Sequence, residues 1–216
     1  MADRVDNQKA SVEAQDPVQA FHRRFYAGDS WKETHWLGVR ALKNPLDLWI
    51  YQEIMHRTRP DTIIETGTHE GGSALYLASV CDFLGHGQVV SIDVAARAQP
   101  EHPRITYIDG DSTDAQTVAQ ANLGGRTMVV LDSGRSTEHV LAELRAYAPL
   151  VSPGCYLIVE DTIIGDEIVG EVTTAPREAI ERFLAEDDAF ELDRECEKFM
   201  MTFNSGGYLR RAGAGE

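Results

Sequence analysis

The stretch Thr62-Ile63-Ile64-Glu65-Thr66-Gly67-Thr68-His69-Glu70-Gly71-Gly72-Ser73-Ala74-Leu75-Tyr76 constrains the fold more than any other part of the chain. A short β-branched apolar run marks a buried strand. It meets an acid and then a glycine-rich turn, after which Ala74, Leu75, Leu77 and Ala78 carry helical spacing. The reading is strand, tight turn, helix. That is the opening βα unit of a doubly wound α/β fold, in which ligands lie across the carboxyl ends of the strands. Gly67 can take φ > 0 and leaves room for a ligand beside the backbone, and Gly71 and Gly72 let the helix begin close to it. A plain structural turn is the competing explanation.

Glu65 narrows the choice of ligand. The free N–H groups of a helix's first turn carry about half a positive charge and can meet a phosphate or a carboxylate. An acid at the strand end repels a pyrophosphate but suits an ammonium group. A ligand bearing both an ammonium and a carboxylate is an amino acid, and S-adenosylmethionine (SAM) is an amino acid joined to adenosine. The spacing Glu65-x-Gly67-x-x-x-Gly71-x-Ser73 also departs from the dinucleotide fingerprint G-x-G-x-x-G. It resembles motif I of class I SAM-dependent methyltransferases, which implies that Glu65, Gly67, Thr68, Gly71, Gly72 and Ser73 hold the cofactor.

The 216 residues suffice for one α/β domain. We expect residues 1–16 to be a flexible tail, 17–60 a helical cap and 61–216 the SAM-binding core. In the cap, a helix over 17–27 presents Val18, Phe21 and Phe25 on one side. Trp31 and Trp36 follow in a polar loop, where they should pack on the domain or cover a pocket. Asn44 caps a helix with Pro45 in its first turn, ending near His56. Further strands are expected over 88–93, 105–108, 127–131 and 155–159, with helices over 113–121, 136–148 and 175–185 between or after them. This alternation predicts a mostly parallel sheet with helices on both faces. Strands over 190–194, 199–203 and 208–210, with a turn at Gly206-Gly207, would close it as an antiparallel hairpin.

Composition excludes several partners. Lys and Arg number 20 against 35 acids, a formal charge of −15 with no basic block, so nucleic acid is not expected. No apolar run approaches the roughly 20 residues that span a membrane, and the polar, acidic start does not read as a signal peptide. Cys81, Cys155 and Cys196 form no CxxC pair, and an odd count suits a reducing compartment. The cytoplasm is the expected location. The cap helix and the Trp loop are the elements that could build a homo-oligomer.

Acids end all five strands of the core: Glu65, Asp93, Asp109 with Asp111, Asp132, and Glu160 with Asp161. In a parallel sheet these ends share one edge. Asp93, 21 residues beyond Gly72, is placed to accept from ribose hydroxyls, and Asp111 and Ser112 fall where methyltransferases hold the adenine. A plain helix N-cap is the competing explanation for either of these last two. Asp132, Glu160 and Asp161 crowd together if their strands are neighbours. Three carboxylates in one cleft call for a cation, and hard oxygen ligands suit Mg²⁺ or another divalent ion. Helix capping with the other acids turned to water is the alternative. His139, His69 and His35 are candidate bases that spacing does not rank, His139 because its helix follows Asp132 and His69 because it lies within the glycine turn.

Segments 44–49, 65–73, 131–133 with His139-Val140, 159–162 and 202–204 with 207–209 together resemble the cephalosporin hydroxylase / rhamnosyl O-methyltransferase family, over about residues 31–211. The resemblance implies a SAM-dependent methyltransferase with a Rossmann-like core. It implies a Mg²⁺ site at Asp132, Glu160 and Asp161, and a hydroxylated small-molecule acceptor such as a sugar or another secondary metabolite. The chain departs from the family at Ser133-Gly134-Arg135-Ser136, where a His-bearing segment is more usual. That leaves His139 or His69 as the base and Arg135 free to meet an acidic substrate group. The catalytic set is then His139, Asp132 and His69. Competing readings are an NAD-dependent oxidoreductase, a SAM-binding metal-dependent cyclase and a non-catalytic module. Glu65 speaks against the first and the five strand-end acids against the last.

Overall fold

The computed structural model describes residues 16–95, 97–163 and 175–213. Helix α1 (Pro17–Ala27) opens the described chain, its Asp16 side chain accepting from Val18 N. Strands β1 (His35–Trp36) and β2 (Val39–Arg40) form a small antiparallel pair. Helix α2 (Pro45–Thr58) starts on an Asn44 cap, whose side chain accepts from Leu46 N. The core follows as β3 (Thr62–Thr66), α3 (Gly72–Leu84), β4 (Gln88–Asp93), β5 (Ile105–Asp109), α4 (Ala115–Ala121), β6 (Thr127–Leu131), α5 (Thr137–Tyr147) and β7 (Tyr156–Val159). Helix α6 (Ala175–Glu186) and strands β8 (Phe190–Leu192) and β9 (Tyr208–Arg211) end it.

Seven strands form one sheet in the order β5-β4-β3-β6-β7-β9-β8. The first five run parallel, and β9 is antiparallel to both β7 and β8. Side chains alternate across it with period two. Ile64, Val90, Val129 and Leu157 enter one core with Leu141 and Leu144 of α5 and Phe183 of α6. Ile63, Val89, Met128 and Ile158 enter the other with Ile54 of α2 and Leu77 of α3. Both faces are therefore covered, as the near-continuous apolar strands require. The strand order reverses between β3 and β6, and the crevice at their carboxyl ends is where such folds bind ligands.

The structure corrects four expectations. Residues 199–203 form no strand: Thr202 and Phe203 instead turn inward to hydrogen bond Asp47. The Gly206-Gly207 pair therefore makes no tight hairpin turn but ends the long connection between the antiparallel β8 and β9, and a Cβ on Gly207 would lie 2.1 Å from the Val159 carbonyl oxygen, so the glycine serves close approach to β7. The Trp loop is not wholly irregular, since it holds β1 and β2. In α1 the inward face is His22 with Phe25 and Tyr26 around Phe203, while Phe21 is 58 % exposed. Residues 1–15, nearly all of the expected tail, and the 165–174 stretch that follows β7 lie outside the described residues. The three cysteines are buried and free. Among the described residues no helix is long and apolar enough to cross a membrane.

Candidate active site

A cavity of about 470 Å³ lies along the carboxyl edge of the sheet. Gly67, His69 and Asp93 line it at the β3–β4 end, Asp111, Ser112 and His139 beside β5, and Asp132, Glu160 and Asp161 at the β6–β7 end. Trp31, Leu42 and Phe203 supply apolar wall. Trp31 stands edge-on to Phe203 and stacks on Tyr26, so it covers the pocket, whereas Trp36 packs on Tyr76 and donates to Ser79 Oγ.

Behind the β3–β4 wall sits a chain of hydroxyls. Thr68 Oγ1 meets Ser91 Oγ at 2.7 Å, and Ser91 donates to Glu65 Oε2 at 2.5 Å. Glu65 is 1 % exposed, and its Oε1 has no hydrogen-bond partner among the described residues. Burial pushes its carboxyl above the ordinary range, with Lys43 opposing. An orphaned buried carboxylate oxygen is costly and fits a ligand ammonium. Asp93 accepts from His69 N at 2.8 Å and from Ala95 N at 3.0 Å, one on each oxygen, which fixes its orientation. A carboxylate oxygen has a second lone pair, so Asp93 retains capacity for a diol.

The glycines answer to the fold before any ligand. Gly67 has φ +89°, and a Cβ there would lie 2.0 Å from the Asp132 carbonyl oxygen. The β6 turn packs against the side a Cβ would occupy, and Gly67 also lines the cavity. A Cβ on Gly72 would lie 2.2 Å from the Arg40 carbonyl oxygen, and one on Gly71 would meet Pro100. Ser73 is buried at the start of α3.

At the β6–β7 end the three acids do come together, but side-chain cations already meet them. Lys43, 4 % exposed, donates to Asp132 Oδ2 and to Glu160 Oε2, the latter at 2.7 Å. Arg135 pairs with Asp161 at 2.5 Å. Burial works against the Lys43 ammonium, but Asp132, Glu160 and Glu65 outweigh it and hold its pKa above the ordinary lysine range. Burial and Asp132 push the Glu160 carboxyl up, while Lys43 and Tyr51 oppose them. Tyr51 Oη donates to Glu160 Oε1 at 2.7 Å, and Asn204 Nδ2 donates to Tyr51 Oη at 3.0 Å. Asp47, in the first turn of α2, accepts from Thr202 Oγ1, Phe203 N and Tyr208 Oη. Segments 44–51, 160–161 and 202–208, far apart in sequence, thus form one buried polar network. With the lysine and arginine in place, the described acids do not form a ready three-ligand metal cluster. Their donor chemistry, hard carboxylate oxygen on two adjacent strand ends, still fits a divalent cation.

His139 reaches back from α5 to the cavity. Its Nε2 lies 2.9 Å from Ser133 Oγ, 3.5 Å from Ser112 Oγ and 3.6 Å from the buried Glu143 Oε1. The hydrogen bond to Glu143 raises its pKa, with burial opposing. Glu143 is 1 % exposed and also accepts from Ser133 Oγ at 2.7 Å. His69 contributes its backbone N–H to Asp93, and its ring nitrogen Nδ1 lies 3.9 Å from Glu70. His35 is exposed on β1 and outside the cavity. Sequence reasoning missed Lys43, Tyr51, Ser133 and Glu143. The signal for Glu143 was available, since an acid four residues beyond His139 shares its helix face.

The rhamnosyl O-methyltransferase/CmcI family model matches residues 29–212. The chain belongs to this family. Among its relatives, the rhamnosyl O-methyltransferase of Mycobacterium leprae (strain TN) is 34 % identical, over 90 % of each chain. A solved CmcI structure described as holding Mg and SAM superposes with a TM-score of 0.69 at 25 % identity, covering 84 % of this chain and 78 % of that one. The O-methyltransferase NovP shares the fold, with a TM-score of 0.61 at 15 % identity over 91 % of this chain and 98 % of its own. The sheet is therefore that of a class I methyltransferase, and the enzyme class is SAM-dependent O-methyl transfer. In this family frame the antiparallel β9 beside β7 is the expected close of the sheet, reached here through a long connection rather than a tight turn.

Proposed function

We propose that this cleft moves a methyl group from SAM to a hydroxyl of a small acceptor, a sugar or another secondary metabolite, with help from Mg²⁺ or another divalent cation. The observation that carries the reading is the single cavity joining Asp93, Asp111 and Ser112 at one end to Asp132, Glu160 and Asp161 at the other. SAM supplies the sulfonium methyl, and the cation supplies Lewis-acid activation and a template for hydroxyl oxygens. The residues do the rest. Glu65 Oε1 takes the ammonium of the cofactor, Asp93 the ribose hydroxyls, and Asp111 and Ser112 the adenine edge. Asp132, Glu160 and Asp161 would hold the cation. Trp31, Leu42 and Phe203 give the acceptor an apolar face and exclude water. That wall suits the C–H face of a sugar ring, in keeping with the name of the M. leprae relative, a rhamnosyl O-methyltransferase.

Proton removal falls to His139 through Ser133. The acceptor hydroxyl gives its proton to Ser133 Oγ, whose own proton turns from Glu143 Oε1, 2.7 Å away, to His139 Nε2, 2.9 Å away. Glu143 then holds the imidazolium. His69 positions Asp93 through its backbone and takes no proton. Holding two reactants in line is worth ~7–11 kcal/mol of barrier, so positioning carries much of the catalysis.

Calorimetric titration with SAM, S-adenosylhomocysteine and NAD, each with Mg²⁺ and with EDTA, tests the reading. Binding of SAM and S-adenosylhomocysteine without NAD is expected, followed by S-adenosylhomocysteine release when a rhamnosyl acceptor is added. Binding of NAD alone overturns it. SAM turnover without methyl transfer to any hydroxyl makes the enzyme a cyclase-like one.

A further inference from the structure

Lys43 enters the acid cluster from the short link between β2 and α2. Leu42, just before it, sits at φ 54°, a left-handed conformation that leucine rarely adopts. Lys43 N donates to Thr34 Oγ1 at 3.1 Å. The backbone is thus fixed so that the lysine side chain runs inward. Its ammonium lies where the lone pairs of Asp132 and Glu160 converge. A divalent cation shared by those two carboxylates needs the same volume. The two positive charges repel strongly at that spacing in a buried site, so they exclude one another.

We propose that Lys43 is a built-in counter-cation occupying the metal seat, and that a divalent cation enters by exchange for its ammonium. This rests on the reading of Asp132, Glu160 and Asp161 as the metal ligands. Arg135, the cation on Asp161, is half exposed and easily moved. Lys43 is buried between two acids, so exchange at Lys43 sets the metal affinity. The free enzyme then keeps its acids neutralised and folds without metal. The metal binds only as tightly as its attraction for the acids exceeds that of the lysine.

The test is titration of EDTA-treated protein with MgCl₂ and MnCl₂, by calorimetry and by thermal unfolding, for wild type, Lys43→Met and Glu160→Gln. Lys43→Met should bind metal at least about tenfold tighter than wild type, because the competing cation is gone while both acids remain. Its Tm should fall in EDTA and recover with Mg²⁺, whereas the wild-type Tm should shift far less. Glu160→Gln should bind metal weakly. Equal or weaker binding by Lys43→Met overturns the exchange and leaves the metal site standing. Absence of binding by both wild type and Lys43→Met overturns the metal site and the exchange with it. Should Lys43→Met not fold, trace acetylation of wild type read by peptide mass spectrometry decides the matter. Mg²⁺ should raise the reactivity of Lys43 if the ammonium is expelled, and unchanged or lower reactivity overturns the proposal.

Discussion

At the β3–β4 end of the cleft, Glu65 and Asp93 are held by neutral donors: the Ser91 hydroxyl and the backbone N–H groups of His69 and Ala95. At the β6–β7 end, Asp132, Glu160 and Asp161 are held by Lys43 and Arg135. Both ends bury acids, but no side-chain cation hydrogen bonds the acids of the first, where Lys43 acts on Glu65 only through space, whereas Lys43 and Arg135 bond those of the second directly. Neutral donors fix a carboxylate's direction and leave it hungry for a cationic ligand, which suits the recognition of one end of a zwitterion. Side-chain cations make the other end indifferent to neutral ligands and open to a stronger cation. On the proposed function, one edge of one sheet thereby carries a recognition half and a charge-exchange half.

The comparison breaks most visibly at Asp132. Asp132→Asn removes one arm of the Lys43 bridge from the exchange half and breaks no hydrogen bond in the recognition half. Turnover should fall by about 10³-fold, the scale of losing one aligned electrostatic group at a reacting centre. SAM affinity should stay within about threefold. Single-turnover methyl transfer and calorimetry on the same sample check both. Full turnover in this variant would remove Asp132 from the chemistry.

The recognition half is tested by Glu65→Gln. The amide keeps the shape and the Ser91 contact but loses the charge that an ammonium needs. A charge-assisted hydrogen bond contributes about 1.5–3 kcal/mol, so the SAM Kd should rise roughly 10- to 100-fold. Metal affinity at the other end should change far less than the SAM Kd. An unchanged SAM Kd would place the ammonium elsewhere; a loss of metal binding would mean that the two halves are one coupled site.

Much of this division was legible in the chain, for a physical reason. Each of the five core strands carries a short apolar run, so the acids at or near their ends stand out, and a parallel sheet puts those ends on one edge. The cap at Asn44 is local chemistry and reads correctly. Lys43 was not legible. Its partners lie 89 and 117 residues away, and no periodicity marks a single inward lysine in a link. The 199–203 segment misled because Phe199 to Phe203 looks strand-like, whereas its hydroxyl and amide serve Asp47. The glycines were seen, but no spacing tells that the Asp132 backbone packs beside Gly67.

The smallest effect sharpens the boundary between the halves, where His139 stands next to both Ser112 and Ser133. As a base His139 must be neutral, so activity should rise with pH along a limb set by its pKa. Glu143 holds that pKa above the ordinary histidine value, so the wild-type limb lies on the high side of the usual range. Glu143→Gln removes the largest cause of the increase, and the limb should move to lower pH. Below the limb the variant should be relatively more active, and above it the two should converge. Stability should follow the opposite sense. A histidine whose pKa is raised on folding stabilises the native state below its unfolded pKa, and that stabilisation is lost as pH rises through the folded value. Wild type should therefore outlast Glu143→Gln in acid by more than at high pH. A limb that does not move would take His139 out of the proton path and leave it as a wall of the adenine pocket, within the recognition half.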